Sequence, residues 1–272
     1  MYKYSKIIAL ASCVIWTIFM FAAFKGFHFW YIGFVFFSWI TLASLNYRHK
    51  TTLWFLKNRF KDFAIFYLVL FTIGIFGDLI IGQTIANLWG YPYYRSLFDW
   101  ARLYLITYPF GGILVLELIL FLSYIFKTKF TFLERKNTEL PEKILDSLDH
   151  FVDLFYILII VVIPVLFLFE VKLPFQSLVV YSFLAWTIAA TIELVYHVRH
   201  GLHWIAILVT TVLLSILLHE IPNTAVFEWR YYSAPALNTL IFDVPLWTFL
   251  GWYLMTLLMM RLWTRFAWTK RD

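Results

Sequence analysis

The chain has 272 residues, 62% of them hydrophobic and 14% charged, with a mean hydropathy of +0.79. No water-soluble domain of this size carries such a composition on its surface, so its solvent is lipid. The net charge of +6 follows from topology, as shown below, without nucleic acid, and the single cysteine, Cys13, excludes a disulfide framework or a thiolate metal site within one chain.

A helix crossing the hydrocarbon needs ~20 mostly apolar residues. In chain order the charge-poor runs are Ile7 to Ala23, Trp30 to Leu45, Phe63 to Thr84, Leu103 to Phe126, Phe151 to Phe169, Ser177 to Val195, Leu202 to Leu218 and Leu237 to Met260. Met1 to Lys6 and the first run have the outline of a secretory signal, but the run is long and no small-residue cleavage site follows it, so it reads as a retained helix. The expected fold is an all-α polytopic membrane bundle of about eight transmembrane helices, one integral membrane domain over 1–272.

Basic residues orient it, because Lys and Arg stay on the cytoplasmic side of short loops. Placed on alternate sides, the loops sort 17 of the 22 Lys and Arg to one face, leaving Lys25, Arg95, Arg102, Lys172 and Arg230 on the other. This places the chain as a multi-pass cell-membrane protein with both termini in the cytoplasm, and its basic loops fit contact with anionic lipid. The segment Leu53 to Lys61 alternates aromatics with cations, as a helix lying on the lipid surface would. Pro141 stands where it would open a helix running into the fifth span.

An internal repeat follows. Asp78, the loop Trp89-Gly90-Tyr91 and then Tyr108-Pro109 at a helix start are matched by Glu220, Trp229-Arg230-Tyr231 and Val244-Pro245. Halves 1–126 and 144–260, joined by cytoplasmic loop 127–143, would then form a 4+4 parallel repeat.

The order of acid, Trp-x-Tyr loop and Val244-Pro245-Leu246-Trp247 followed by Leu250-Gly251-Trp252 resembles the membrane-bound lycopene cyclase domain and the related carotenoid hydratases. The family's Pro-x-Glu-Glu pair is replaced here by Pro109-Phe110-Gly111-Gly112 and Pro245-Leu246-Trp247-Thr248, which directs the resemblance toward a hydratase or a diverged relative. It implies a bound apolar isoprenoid, carotenoid-like, and acid-initiated cyclisation or hydration without cofactor or metal.

Five acids, Asp78, Glu117, Glu193, Glu220 and Asp243, fall in or at the ends of apolar spans, where an ionised side chain costs about 2.5–3.5 kcal/mol on insertion scales. A protonated carboxyl there can deliver its proton to a double bond. Asp78 and Glu220 are the expected proton donor and base, with Glu117 and Asp243 behind them. Trp89, Tyr91, Trp229, Tyr231 and Trp252 are the expected substrate-binding aromatics, whose faces attract a cation by up to ~2 kcal/mol. The same pattern also suits a non-catalytic subunit or lipid-binding scaffold whose acids pair across helices and whose aromatics belt the interface.

Other chemistries have weaker footing. Glu193 has His197 four residues later for a local pair, and His197, His200 and His203 lack the spacing of helical zinc ligands. Asp146, Asp149 and Asp153 share a helix face and look like the first acidic motif of Mg²⁺-dependent prenyltransferases, but no second motif accompanies them. No lysine lies in the last three spans for a retinal Schiff base, Gly74, Gly77 and Pro164 make no matched pair of broken transporter helices, and no nucleotide-binding or hydrolase motif appears.

Overall fold

The computed structural model describes residues 2–47, 51–126, 142–197 and 201–268. It is an all-α helical bundle. Helix α1 (Tyr2–Phe24) packs on α2 (Trp30–Leu45), and a short α3 (Thr52–Asn58) leads into α4 (Phe60–Ile73), which continues as a π-helix over Gly74–Ile85. After β1 (Trp89–Gly90), α5 (Leu97–Arg102) passes through π-helical Leu103–Thr107 into α6 (Tyr108–Ile125).

The second half runs α7 (Glu142–Leu168), α8 (Phe175–His197) and α9 (Gly201–Ser215), the last extended by π-helical Ile216–Glu220 into α10 (Ile221–Val226). Then come β2 (Arg230–Tyr231), β3 (Leu240–Ile241), β4 (Val244–Pro245) and α11 (Leu246–Trp268).

Among the described residues six helical stretches are long and apolar enough to cross a membrane: Tyr4–Phe24, Phe60–Ile85, Leu97–Ile125, Asp149–Leu168, Phe175–Val195 and Leu202–Val226. These helices are apolar outside as well as inside. Ile7, Leu10, Leu68, Leu154 and Leu202 are all more than half exposed, and Trp30, Phe34, Trp186 and Trp204 fill the interior. A helix apolar all round belongs in lipid, and the chain is accordingly of membrane type. Of the other two expected spans, Trp30–Leu45 is a shorter apolar helix, and α11 carries Trp, Tyr and Arg261 among its apolar residues.

Two features differ from expectation. The last span does not begin at Leu237, because Val244 precedes a proline, which forces extended backbone, and residues Leu240–Pro245 instead form a hairpin. Its turn residues Phe242 and Asp243 have φ of 53° and 61°, the left-handed pair that a two-residue hairpin turn requires. Helix α3 does not simply lie on lipid either, since Thr52 and Phe55 are buried and the Phe55 ring meets Trp263 edge-on at 5.0 Å. Pro141 lies outside the described residues, and α7 begins immediately after it.

Candidate functional site

The two repeated loops meet. Strands β1 and β2 pair antiparallel with Trp89 opposite Tyr231 and Gly90 opposite Arg230, so the two Trp-x-Tyr motifs are related by a local two-fold centred on Gly90 and Arg230. Each motif folds back onto the acid of its own half. All three π-helical stretches among the described residues border this place, one carrying Asp78, one Tyr104 and one Glu220. Such segments are rare and concentrate at functional positions.

Asp78 is buried, and Trp89 Nε1 donates to its Oδ1, which Tyr91 Oη also reaches at 3.3 Å. Its Oδ2 accepts from Tyr104 Oη and Gln83 Nε2, each at 2.6 Å. Tyr91 Oη in turn meets Tyr108 Oη at 2.7 Å. Only a glycine at position 82 lets the Trp89 ring cross to the carboxyl, because a Cβ there would lie 2.2 Å from Trp89 Cζ2.

Glu220, equally buried, mirrors this. Trp229 Nε1 donates to Oε2 at 3.1 Å, while Tyr231 Oη at 2.7 Å and Trp252 Nε1 at 2.8 Å donate to Oε1. Tyr91 and Tyr231 lie in the paired loops. Burial pushes both phenols well above their ordinary value, and the neighbouring carboxyl pushes further, so both hydroxyls keep their protons near neutral pH.

Asp78, Glu220, Trp89, Tyr91, Trp229, Tyr231 and Trp252 all line one cavity of about 330 Å³. Its walls are otherwise overwhelmingly apolar, with Leu70, Leu103, Phe183, Met255 and Leu258 among them, and Trp247 stands between the two units, 6.0 Å from the Trp89 ring and 5.2 Å from Tyr231. Comparison with protein-family models, with curated proteins and with solved structures found no match. The chemistry must therefore be read from the cavity itself: two carboxyl groups framed by indole and phenol, facing space shaped for an apolar molecule.

The other expected acids lie elsewhere. Glu117 is fully buried on α6, where Oε1 accepts from the Thr52 backbone N–H at 2.7 Å and from Thr52 Oγ1 at 2.5 Å, fastening the start of α3. Asp243 is exposed in the hairpin turn. Hydropathy cannot separate such acids from cavity acids, because it does not say which face of a helix a residue occupies.

Asp149, Asp153 and Glu193 all bond one cation. Arg261 Nη2 donates to Asp149 and Asp153 at 2.8 Å each, and Nη1 to Glu193, so Glu193 meets an arginine from α11 rather than only its own helix. The side chains of Asp146, His197 and His200 lie outside the described residues, and His203 is exposed. Among the described residues no three His, Cys, Asp or Glu are placed to hold a metal ion.

Several site residues escape the sequence pattern. Gln83 follows Asp78 by five positions, the spacing of a π-helix, which a search at α-helical spacing passes over. Tyr31 lines the cavity from α2 and meets His219 Nδ1 at 2.6 Å. Glu228 stands in a loop, where acids are ordinarily solvated, yet it is 1% exposed and accepts from Tyr94 Oη and, at 3.3 Å, from the Tyr31 N–H. Burial pushes its carboxyl up to about 8 against the pull of these donors.

Proposed function

We propose that the chain is a multi-pass membrane enzyme that modifies an apolar polyene, carotenoid-like in class, by acid-initiated cyclisation or hydration, with Asp78 as proton donor and Glu220 as base. The observation that carries this reading is that both acids, each held by its own Trp and Tyr, face one apolar cavity. The resemblance to lycopene cyclases and carotenoid hydratases agrees with it.

The roles follow from hydrogen-bond capacity. An indole N–H only donates, and both oxygens of Glu220 take one, from Trp252 and Trp229. A proton on either oxygen of Glu220 would compete with an indole N–H, whereas at Asp78 the only indole is on Oδ1. Asp78 Oδ2 has a phenol and an amide for partners, and a phenol can accept as well as donate, so this oxygen can carry a proton that Tyr104 accepts, in competition with the Gln83 N–H. Transfer from Asp78 to a terminal double bond forms a C–H bond and leaves a carbocation. The Trp and Tyr faces stabilise that cation, by up to ~2 kcal/mol for a desolvated contact.

Glu220 then removes a proton from carbon after ring closure, or from a water that adds to the cation. Release of that proton and reprotonation of Asp78, next to the Tyr91–Tyr108 hydroxyl pair, complete the cycle. The cytoplasmic placement of both termini and the contact of the basic loops with anionic lipid belong to the same reading, supported by the charge distribution.

The test is mass spectrometry of organic extracts from cells that supply a linear carotene and express the wild type or an Asp78→Asn, Glu220→Gln double variant. A cyclised or hydrated product is expected with the wild type and, since general acid–base catalysis contributes ~10²–10⁴-fold, should fall below detection in the variant. An unchanged profile with the wild type, shown to be expressed and inserted, rejects the reading. One observation favours a second: four donors reach Asp78 and three reach Glu220, as in carboxylates that merely hold helices together. In that case the chain is a scaffold, the double variant melts lower than the wild type, and a stable partner copurifies.

A further inference from the structure

We infer that the cavity exchanges its ligand sideways with the hydrocarbon layer, through an opening between α8, α11 and the chain leading to the β3–β4 hairpin, so that its substrate is a lipid dissolved in the bilayer core. This rests on the proposed function only for the ligand being an apolar chain. Three cavity-lining residues reach the surface: Tyr181 is 52% exposed, Leu237 is 39% exposed and Gly251 is exposed. They come one from each of these three elements, and each borders the cavity while reaching the surface.

The opening faces lipid. Tyr181 lies six residues into α8, about 9 Å along the axis at ~1.5 Å per residue, and within a stretch apolar enough to cross a membrane. Gly251 is five residues into α11. The beginnings of the two helices lie toward the same loop, since Gln176 Nε2 on α8 donates to the Ser233 carbonyl at 2.7 Å and α11 follows the hairpin directly. Further along, the helices are tied by Thr191 Oγ1 to Tyr253 Oη at 3.2 Å and by Arg261 to Glu193, which confines the gap to their first turns.

The rim is built for an apolar guest. Leu184, Leu237 and Leu250, on or beside the same three elements, line the cavity. Gly251 has no packing reason to be glycine, because a Cβ there would meet nothing within 4 Å, although glycine costs a helix about 1 kcal/mol relative to alanine. What it provides is width. Gly77 and Gly111 line the cavity in the same open manner. Beside the opening, the hairpin exposes Leu240, Ile241 and Phe242, the last 73% exposed. Such a tip is disfavoured in water at roughly 25 cal/mol per Å² of apolar surface and favoured at the edge of hydrocarbon.

The test uses the full chain in phosphatidylcholine vesicles with Cys13→Ser as background. Nitroxide labels on Gly251→Cys and Tyr181→Cys are expected to collide several-fold more often with oxygen, which concentrates in hydrocarbon, than with a water-soluble nickel chelate. Preference for the chelate, or burial from both by a second copy or another protein, overturns the lateral opening. Uptake is followed by quenching of tryptophan fluorescence by a linear carotene dissolved in the vesicles. Gly251→Phe is expected to slow it at least tenfold, and Leu68→Phe, exposed on α4 away from the cavity, to leave it unchanged. Unchanged uptake and conversion in Gly251→Phe overturn the opening and leave the enzyme reading standing. A wild type that neither takes up nor converts carotene overturns the enzyme reading, and the label accessibilities then decide the opening on their own.

Discussion

Replacing Glu117 with alanine tests whether an acid buried within a span is structural. The carboxylate takes the Thr52 N–H at 2.7 Å, the Thr52 hydroxyl at 2.5 Å and the Asn46 amide at 3.4 Å. Two of these donors keep something after truncation, because Thr52 Oγ1 still accepts from Trp39 Nε1 at 2.8 Å and Asn46 Nδ2 still reaches the Glu117 carbonyl at 3.2 Å. The Thr52 N–H loses its acceptor outright. An orphaned buried donor costs about 1–3 kcal/mol, and the hole left by the side chain adds to it, giving roughly 2–4 kcal/mol. At ~2–4 °C per kcal/mol for a chain of this size, Glu117→Ala should melt roughly 5–15 °C below the wild type. Glu117→Gln, which keeps an oxygen for Thr52, should lose less than half of that. Thermal unfolding in detergent, followed by tryptophan fluorescence beside product yield per folded protein, reads both quantities. An alanine variant that melts with the wild type would refute the structural role, and a glutamine variant that folds normally and makes no product would show Glu117 to be part of the chemistry.

Glu228 holds its proton up to about pH 8, against an ordinary value of 4.5, so the folded chain binds that proton more tightly than the unfolded one. Its contribution is complete below the ordinary value and is lost as pH rises through about 8, at most on the order of 5 kcal/mol at ~1.36 kcal/mol per pH unit. Melting temperature should therefore decline across this interval in the wild type and decline less in Glu228→Gln. Gly82→Ala puts a Cβ 2.2 Å from Trp89 Cζ2 and should cost about 1–3 kcal/mol together with the product, as the indole leaves Asp78; Gly111→Ala meets nothing within 4 Å and should melt no lower than the wild type. Arg261→Leu withdraws the guanidinium from Asp149, Asp153 and Glu193. Breaking a buried pair costs ~3–5 kcal/mol, and discounting for aspartates whose side chains are 35% and 30% exposed leaves roughly 1–3 kcal/mol, partly recovered by Arg261→Lys in the same melting assay.

Local order was legible in the sequence, and contacts across the bundle were not. Each acid does bond the Trp and Tyr of its own half, since a loop of about ten residues returns its aromatics to the helix it left. That β1 pairs with β2 depends on how the halves pack, and no pattern within either half encodes it. The same limit hid Glu228, whose burial comes from Tyr94 and Tyr31 far away in sequence, and it kept Asp243 and Glu117 as candidates behind Asp78 and Glu220. The hairpin was hidden by its composition, because Leu240, Ile241 and Phe242 read as membrane span on any hydropathy scale although Val244-Pro245 breaks the helix.

The repeat also explains why the cavity is asymmetric. Counting from the proline that opens each last helix, Trp252 corresponds to Leu116, and Tyr104 to Leu240. Leu116 is fully buried and brings no donor, so the Trp252 bond to Glu220 has no counterpart at Asp78, whose own two further donors, Tyr104 and Gln83, have none at Glu220, where Leu240 and Ala225 stand. Before that proline the first half folds as α5 and a π-helical turn, whereas the second folds as a hairpin. If α2 and α6 of the first half correspond to α8 and α11 of the second, the counterpart of the proposed opening is filled: Phe110 meets Phe36 at 5.1 Å and Trp39 at 4.7 Å. On the proposed reading, two similar frames hold the two acids in similar cradles, and the differences at matched positions suit Asp78 to give a proton, Glu220 to take one, and one side of the bundle to open. A reaction that adds a proton at one carbon and removes one elsewhere needs that inequality, which a perfect two-fold would forbid.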